Sequence, residues 1–285
     1  MNQELMAFDA HTHFRTGSRM TPAVVHSALE NALWNMPGKT VGLVLANAGD
    51  YRFYEAIDTI QGSLNCKVED LRRGALVTIP AGYFSDIETD RQILIINGQE
   101  VFSNEGDILL LATPYKSRVP DNQTPLGVFE AAKDLEAVTV IPHPFSRLGG
   151  LFRNIRSTKG RESIIENCDG IEIWNSQSSQ GSNEEALDFY YRLRKRTLDI
   201  GATIGSDGHS AGEVGSSYSV IPMPDISSPE TLRDSIEQGI KSGSPLLHAR
   251  FKRNYFGSLR HAVALAVYNG LGFHTTLNKG RKWLE

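Results

Sequence analysis

The chain has 285 residues, 40% hydrophobic and 22% charged, with a formal net charge of −4. This suits a globular protein of one or two domains, and it excludes a low-complexity or disulfide-stapled chain. The acidic balance speaks against a general nucleic-acid binder, whose footprint is basic, and no apolar run is long enough to cross a bilayer as a helix.

Cys66 and Cys168 frame no disulfide scaffold, and Met1–Glu4 lacks the basic start and apolar core of a signal peptide, so a cytoplasmic location is expected. The apolar run Leu5–Phe8 reads as a first strand leading into Asp9-Ala10-His11-Thr12-His13. Alternate strand residues share a face, so His11 and His13 point the same way and offer half a divalent-metal site. Thr21-Pro22 opens a helix to about Asn35, with Thr as N-cap and Pro at the first helical position. Val41–Ala46 is continuously apolar, as expected of a strand covered on both faces. Asp50–Gly62 has helical spacing at Phe53, Ile57 and Ile60. Lys67–Glu88 has no clear pattern.

Gln92–Val101 reads as a strand ending in Gly98-Gln99-Glu100, and Asp107–Ala112 as another. Thr124-Pro125 starts a helix to about Leu135, and the strand Val138–Ile141 runs into Pro142-His143-Pro144. A short helix, Glu162–Asn167, precedes the strand Gly170–Asn175. Ser176–Asn183 is polar and reads as a loop, with Asn183 capping a helix through Leu198. The strand Ala202–Gly205 ends in Ser206-Asp207-Gly208-His209. Ser228-Pro229-Glu230 opens a further helix, and Ser258–Tyr268 has the pattern of a final packing helix. Strands alternating with helices imply a parallel sheet, open or closed into a barrel.

Several of these strands end in metal-type ligands: His11 and His13, Glu100, His143, and Asp207 with His209. Catalytic groups of parallel α/β folds gather at the C-terminal strand ends. Each residue alone suits an ordinary turn or cap. Together they need a shared reason, since four of the eight histidines fall at these ends. His26 and His261 fall inside helices, and His248 and His274 follow no strand, so none of these is assigned to a site.

Four motifs in order, Asp9–His13, Gly98-Gln99-Glu100, Pro142-His143-Pro144 and Gly205–His209, resemble the PHP (polymerase and histidinol phosphatase) family of metal-dependent phosphoesterases. The resemblance covers residues 1–250. It implies an α/β fold, a distorted seven-stranded β/α barrel like a TIM barrel, with residues 251–285 as a C-terminal helical extension packed on it. It further implies two, or three, divalent metal ions at the C-terminal rim. Carried over residue by residue, His11, His13, Glu100 and Asp207 form one metal site, and Glu100 bridges to a second with His143. Where the family has a further His, this chain has Asp107. The third site departs more, because neither Phe14–Met20 nor Asn47–Asp50 contains a His. His209 remains, as a ligand or as a proton donor to the leaving oxygen. Glu172 matches a family strand without a settled role. Mixed His and carboxylate ligands suit zinc, manganese or iron alike.

Arg15, Arg19, Arg118, Arg147 and Arg153 lie in loops after the ligand strands and are candidate phosphate partners, with Lys116 beside them. The expected activity is hydrolysis of a phosphate ester of a small metabolite or nucleotide by a metal-activated water, with His209, Glu100 and Asp207 at the chemistry. One alternative is an amidohydrolase-type hydrolase of C–N bonds. That would call for a bridging Lys and two spaced His in mid-chain, where only His143 stands. The other is a non-catalytic metal-binding domain. The expected partner is a small phosphorylated substrate, with no membrane and no extended nucleic acid. The sequence leaves the oligomeric state open.

Overall fold

The computed structural model describes residues 4–14, 20–48, 52–64, 66–85, 87–196 and 199–242. Arg15, Arg19, Asp50, the expected helix Ser258–Tyr268 and the extension 251–285 lie outside the described residues. The chain begins with β1 (Leu5–Thr12), α1 (Pro22–Asn35), β2 (Thr40–Asn47) and α2 (Arg52–Ser63). The Thr21 hydroxyl accepts from the Val24 amide, so α1 starts where its cap and Pro22 dictate. A hairpin of β3 (Lys67–Asp70) and β4 (Gly74–Ile79) occupies the stretch without sequence pattern. Next come β5 (Arg91–Phe102), β6 (Asp107–Leu111), α3 (Pro125–Asp134), β7 (Val138–Ile141), α4 (Leu151–Asn154), α5 (Thr158–Ile165) and β8 (Gly170–Asn175). α6 (Gln180–Lys195), β9 (Gly201–Gly205), a 3-10 turn at Ala211–Glu213, β10 (Ser219–Pro222) and α7 (Pro229–Lys241) complete the described fold.

The strands form one sheet in the order β10-β1-β2-β5-β6-β7-β8-β9, with β4 added to β5 and β3 to β4. From β1 to β9 this makes a ring of seven strands that comes round on itself. At the seam the Asp207 amide donates to the His11 carbonyl at 2.7 Å, and the His13 amide to the Gly208 carbonyl at 2.9 Å. The result is a nearly closed, TIM-barrel-like α/β fold, as expected.

It is not all parallel, which corrects one expectation. β6 runs antiparallel to both β5 and β7, β4 to β5, and β10 to β1. For β5 and β6 the reason is connection length: Ser103–Gly106 is a hairpin turn, whereas a parallel crossover needs a dozen or more residues. β6, reversed by that turn, then runs antiparallel to β7 although a long connection containing α3 joins them. A second correction concerns α6, which starts earlier than read. Ser179 caps it by accepting from the Ser182 amide, while Asn183 is buried within the helix and exchanges two hydrogen bonds with the Asn175 backbone.

Side-chain alternation sorts the core. Leu43, Leu45, Ile93 and Ile95 face outward under α1 and α2, and Leu110, Ile171 and Ile173 face α3 and α6. Phe8, Val44, Leu94, Leu109 and Val140 fill the inside, where Leu232, Ile236 and Ile240 of α7 join them. Gly201, at the start of β9, packs against Ile240, so α7 stoppers the N-terminal end of the ring. The opposite end stays polar.

Candidate metal centre

Met6, Phe8 and Ala10 face the interior, so strict alternation would turn His11 outward. The register of β1 against β2 shifts between Asp9 and Thr12, and this irregularity re-aims the histidine into the mouth of the ring. His11 Nε2 lies 3.2 Å from His13 Nε2. His13 Nδ1 sits 2.9 Å from the Ala46 carbonyl, which orients that ring with Nε2 inward.

Glu100 of β5 reaches three imidazoles. Its Oε1 is 3.2 Å from His143 Nε2 and 3.8 Å from His11 Nε2, and its Oε2 is 3.5 Å from His13 Nε2. Asp207 Oδ1 stands 3.6 Å from His11 Nε2, 3.5 Å from His13 Nε2 and 3.4 Å from His209 Nδ1. The β5–β6 hairpin pairs Phe102 with Asp107, which brings Asp107 into a group with Glu100 and His143 whose ligand atoms lie within 4.8 Å of one another. His13, Asp207 and His209 form another such group. The structure therefore gathers His11, His13, Glu100, Asp107, His143, Asp207 and His209 in one place.

The backbone is bent to achieve this. His143 and Asp207 adopt φ values of +31° and +48°, a region that costs non-glycine residues about 1–3 kcal/mol at such sites. Gly149 has φ +75°, and a Cβ there would collide with the Asp107 carboxylate.

Around the cluster lies a layer that the sequence did not assign. Asp9, in the first motif, accepts from the Ser206 hydroxyl (2.6 Å), the Ser206 amide (2.9 Å), the Gly215 amide (2.9 Å) and the His11 amide (3.3 Å). Burial pushes its carboxyl up to about 6 against these donors. Glu172, also buried, accepts from the His143 amide at 2.7 Å and from Asn175 Nδ2 at 2.9 Å, and the same Asn175 amide donates to Asp207 Oδ2 at 3.2 Å. Arg52, only 4% exposed at the start of α2, donates to the His13 carbonyl at 3.3 Å. A signal existed for Glu172 and Asn175. Polar residues in an otherwise apolar, doubly covered strand need partners.

Arg118 is half-buried in the segment after β6, and Arg147 and Arg153 are exposed beyond His143.

With only protein groups around them, these side chains hold one another charged. Burial disfavours the imidazolium of His11, but Asp207, Glu172 and Glu100 outweigh it and raise His11 to about 10. His143 is likewise raised to about 9, despite burial, by its Glu100 hydrogen bond. Burial alone would raise Glu100, yet His143, His11 and His13 lower it to about 2. Asp207 is held well below its ordinary range by His11 and His209, against its burial.

Such a concentration of inward donors fits divalent metal. Donors at ~2.0–2.2 Å around one tetrahedral ion stand about 3.4 Å apart. The separations here run from 3.2 to 3.8 Å. The mixed imidazole and carboxylate set suits transition metals.

Fold and site define an α/β barrel with a metal-binding cluster at its polar end. Residues 181–240, which include Asp207 and His209, match the PHP-associated family model. An uncharacterised protein of Methanocaldococcus jannaschii, MJ0417, is 25% identical over 191 residues, 61% of this chain and 75% of that protein. Among solved structures, PsfC from Pseudomonas syringae PB-5123 has a TM-score of 0.55 at 14% identity, covering 94% of this chain and 99% of that one. The lesion-specific endonuclease EndoQ from Pyrococcus furiosus has a TM-score of 0.54 at 16% identity, covering 92% of this chain and 66% of that one. The partial family match agrees with the PHP resemblance of the four motifs, the solved structures share the fold, and the clustered side chains could hold metal. No helix among the described residues is long and apolar enough to cross a membrane.

Proposed function

We propose that this protein is a metal-dependent phosphoesterase that hydrolyses a phosphate ester of a small metabolite or nucleotide. The observation that carries the reading is the contact of one buried carboxylate, Glu100, with His11, His13 and His143 at 3.2 to 3.8 Å. In this reading His11, His13, Glu100 and Asp207 hold one divalent ion, and Glu100, Asp107 and His143 a second. Bound there, the ions would neutralise charge on the phosphoryl oxygens and lower the pKa of water. His209 Nδ1 lies 2.7 Å from the Asp207 carbonyl, and in this reading the ring carries its hydrogen on Nδ1 and exchanges a proton with a leaving oxygen through Nε2. Arg118, Arg147 and Arg153 are the described candidates for contact with substrate phosphate, and Arg15 and Arg19 complete that set.

A phosphodiester within a nucleic acid is the second reading. The shared fold with a lesion-specific endonuclease favours it, and the net charge of −4 weighs against it.

The test is turnover after chelation and reloading with manganese, zinc or iron, using a chromogenic phosphomonoester, a chromogenic diester, an abasic-site DNA duplex and an amide. Metal-dependent phosphate release from the monoester supports the first reading, and DNA cleavage alone supports the second. Hydrolysis of the amide alone, or no turnover with any metal, overturns both.

A further inference from the structure

We propose that Glu172 is the positioning residue that fixes the ring tautomer of His11, so that Nε2 is the nitrogen offered to metal. The proposal rests on the metal-centre reading above and extends it to a residue outside the ligand set.

Glu172 faces the interior of the ring, because Ile171 and Ile173 on either side belong to the outer apolar layer. A carboxylate buried to 1% exposure needs strong partners. Its two oxygens divide the work. Oε2 accepts two hydrogen bonds, from the His143 amide and from Asn175 Nδ2. Oε1 lies 3.4 Å from His11 Nδ1 at ion-pair distance, and neither of these buried atoms has a hydrogen-bond partner elsewhere or within this contact.

A local irregularity makes this possible. Alternation would send Asn175 outward with Ile171 and Ile173, but the register of β8 against β9 shifts between Glu172 and Trp174. Asn175 is thereby returned to the Glu172 side. Opposite, Gly205 leaves the needed space, since a Cβ there would collide with Glu172 and with His11.

An ionised carboxylate only accepts. The facing pair is therefore satisfied only when His11 carries a hydrogen on Nδ1, so the proton the ring gives up to bind metal is the one on Nε2. Nε2 is the atom that meets His13, Glu100 and Asp207. The same carboxylate sets the His143 backbone and, through Asn175, Asp207 Oδ2. One side chain thus positions ligands arriving from β1, from the turn after β7 and from the turn after β9.

Glu172→Gln is the discriminating variant. Its amide has a single oxygen, and the two fixed donors at Oε2 claim it. The NH2 then faces His11 Nδ1 and donates to it, which moves the ring hydrogen to Nε2 and blocks the ligand nitrogen. Zinc and manganese affinities, by competition with a chromophoric chelator, are expected to fall about 10- to 100-fold. Histidine 15N shifts of the zinc-loaded wild-type chain should report a protonated Nδ1 on His11. Glu172→Asp, which keeps both acceptor oxygens, should recover part of the affinity.

Equal affinity in wild type and Glu172→Gln overturns the inference while leaving the metal centre intact. If Glu172→Gln does not fold, the wild-type 15N spectrum decides, and an unprotonated His11 Nδ1 overturns it. A wild-type chain that binds no divalent ion removes the metal-centre reading and this inference together.

Discussion

Asp9 and Ser206 clasp each other across the seam of the ring: one carboxylate oxygen takes the serine amide at 2.9 Å and the other its hydroxyl at 2.6 Å. Both residues adjoin ligand-bearing turns, and the Gly215 amide adds a third strand of the clasp. Asp9→Ala strands these buried donors, so a loss of about 2–4 kcal/mol is expected in chemical denaturation. The pH dependence has a definite sign. A carboxyl raised to about 6 from an ordinary 3.8 favours the folded state below 3.8, and that contribution disappears as pH rises toward 6. Without metal, the stability gap between wild type and Asp9→Asn should change across this window. A gap that stays flat would contradict the role.

Metal uptake should expel protons. His11 and His143, at about 10 and 9 without metal, must lose their ligand-nitrogen protons to bind it. At pH 7 about two protons per chain should be released, as read from calorimetry in buffers of different ionisation enthalpy. The metal-free chain should lose thermal stability as pH climbs from 6.5 toward 10, because the imidazolium partners of Glu100 and Asp207 are neutralised. It should also lose stability as pH falls from 4.5 toward 2, because Glu100 becomes protonated. Metal affinity that is independent of pH between 6.5 and 9 would refute the charge arrangement.

Glu100→Gln should empty at least one metal position, since its two oxygens serve His143 on one side and His13 on the other. Turnover is expected to fall by about 100-fold or more. His209→Ala should retain the metal held by Glu100 and slow esters with poor leaving groups more than those with good ones. Metal content per chain, measured with turnover, separates the two. Unchanged content in Glu100→Gln would disprove its bridging place.

Gly149→Ala puts a methyl group where the Asp107 carboxylate sits, at a φ of +75° that alanine avoids. We expect a loss of about 1–3 kcal/mol and weaker binding of the metal held by Asp107 and His143, with the His11–His13 side less affected. Sequential metal titration followed by melting would show both effects. Wild-type binding of two ions in this variant would contradict it.

The clustered side chains were legible because His, Glu and Asp punctuate apolar strands, and Asp107 arrived in the cluster with them. Strand directions were less legible. Alternating helices and strands suggested parallel pairing, although the brief gap from Phe102 to Asp107 already demanded a hairpin. β3 escaped because its residues are largely exposed, and β10 because it is short. Asp9, Glu172 and Asn175 escaped for another reason. Their work lies in hydrogen bonds between distant turns, and for Asn175 a register shift against β9, not sequence period, decides which way the strand presents it.

The ring shuts through the ligand turns themselves, His11 with Asp207 and His13 with Gly208, and not through a long ladder. Opening the barrel and dismantling the candidate metal cluster are therefore one motion. The His13 and Asp207 amides become gauges of occupancy, exchanging with solvent at the rate at which the seam parts. Metal that holds the histidines in place slows that exchange, and a chelator quickens it there before the strands opposite the seam respond. In cells with little metal, the same opening would expose β9, and β1 beyond its pairing with β10, as free edges, so scarcity of the ion would shorten the lifetime of the folded chain.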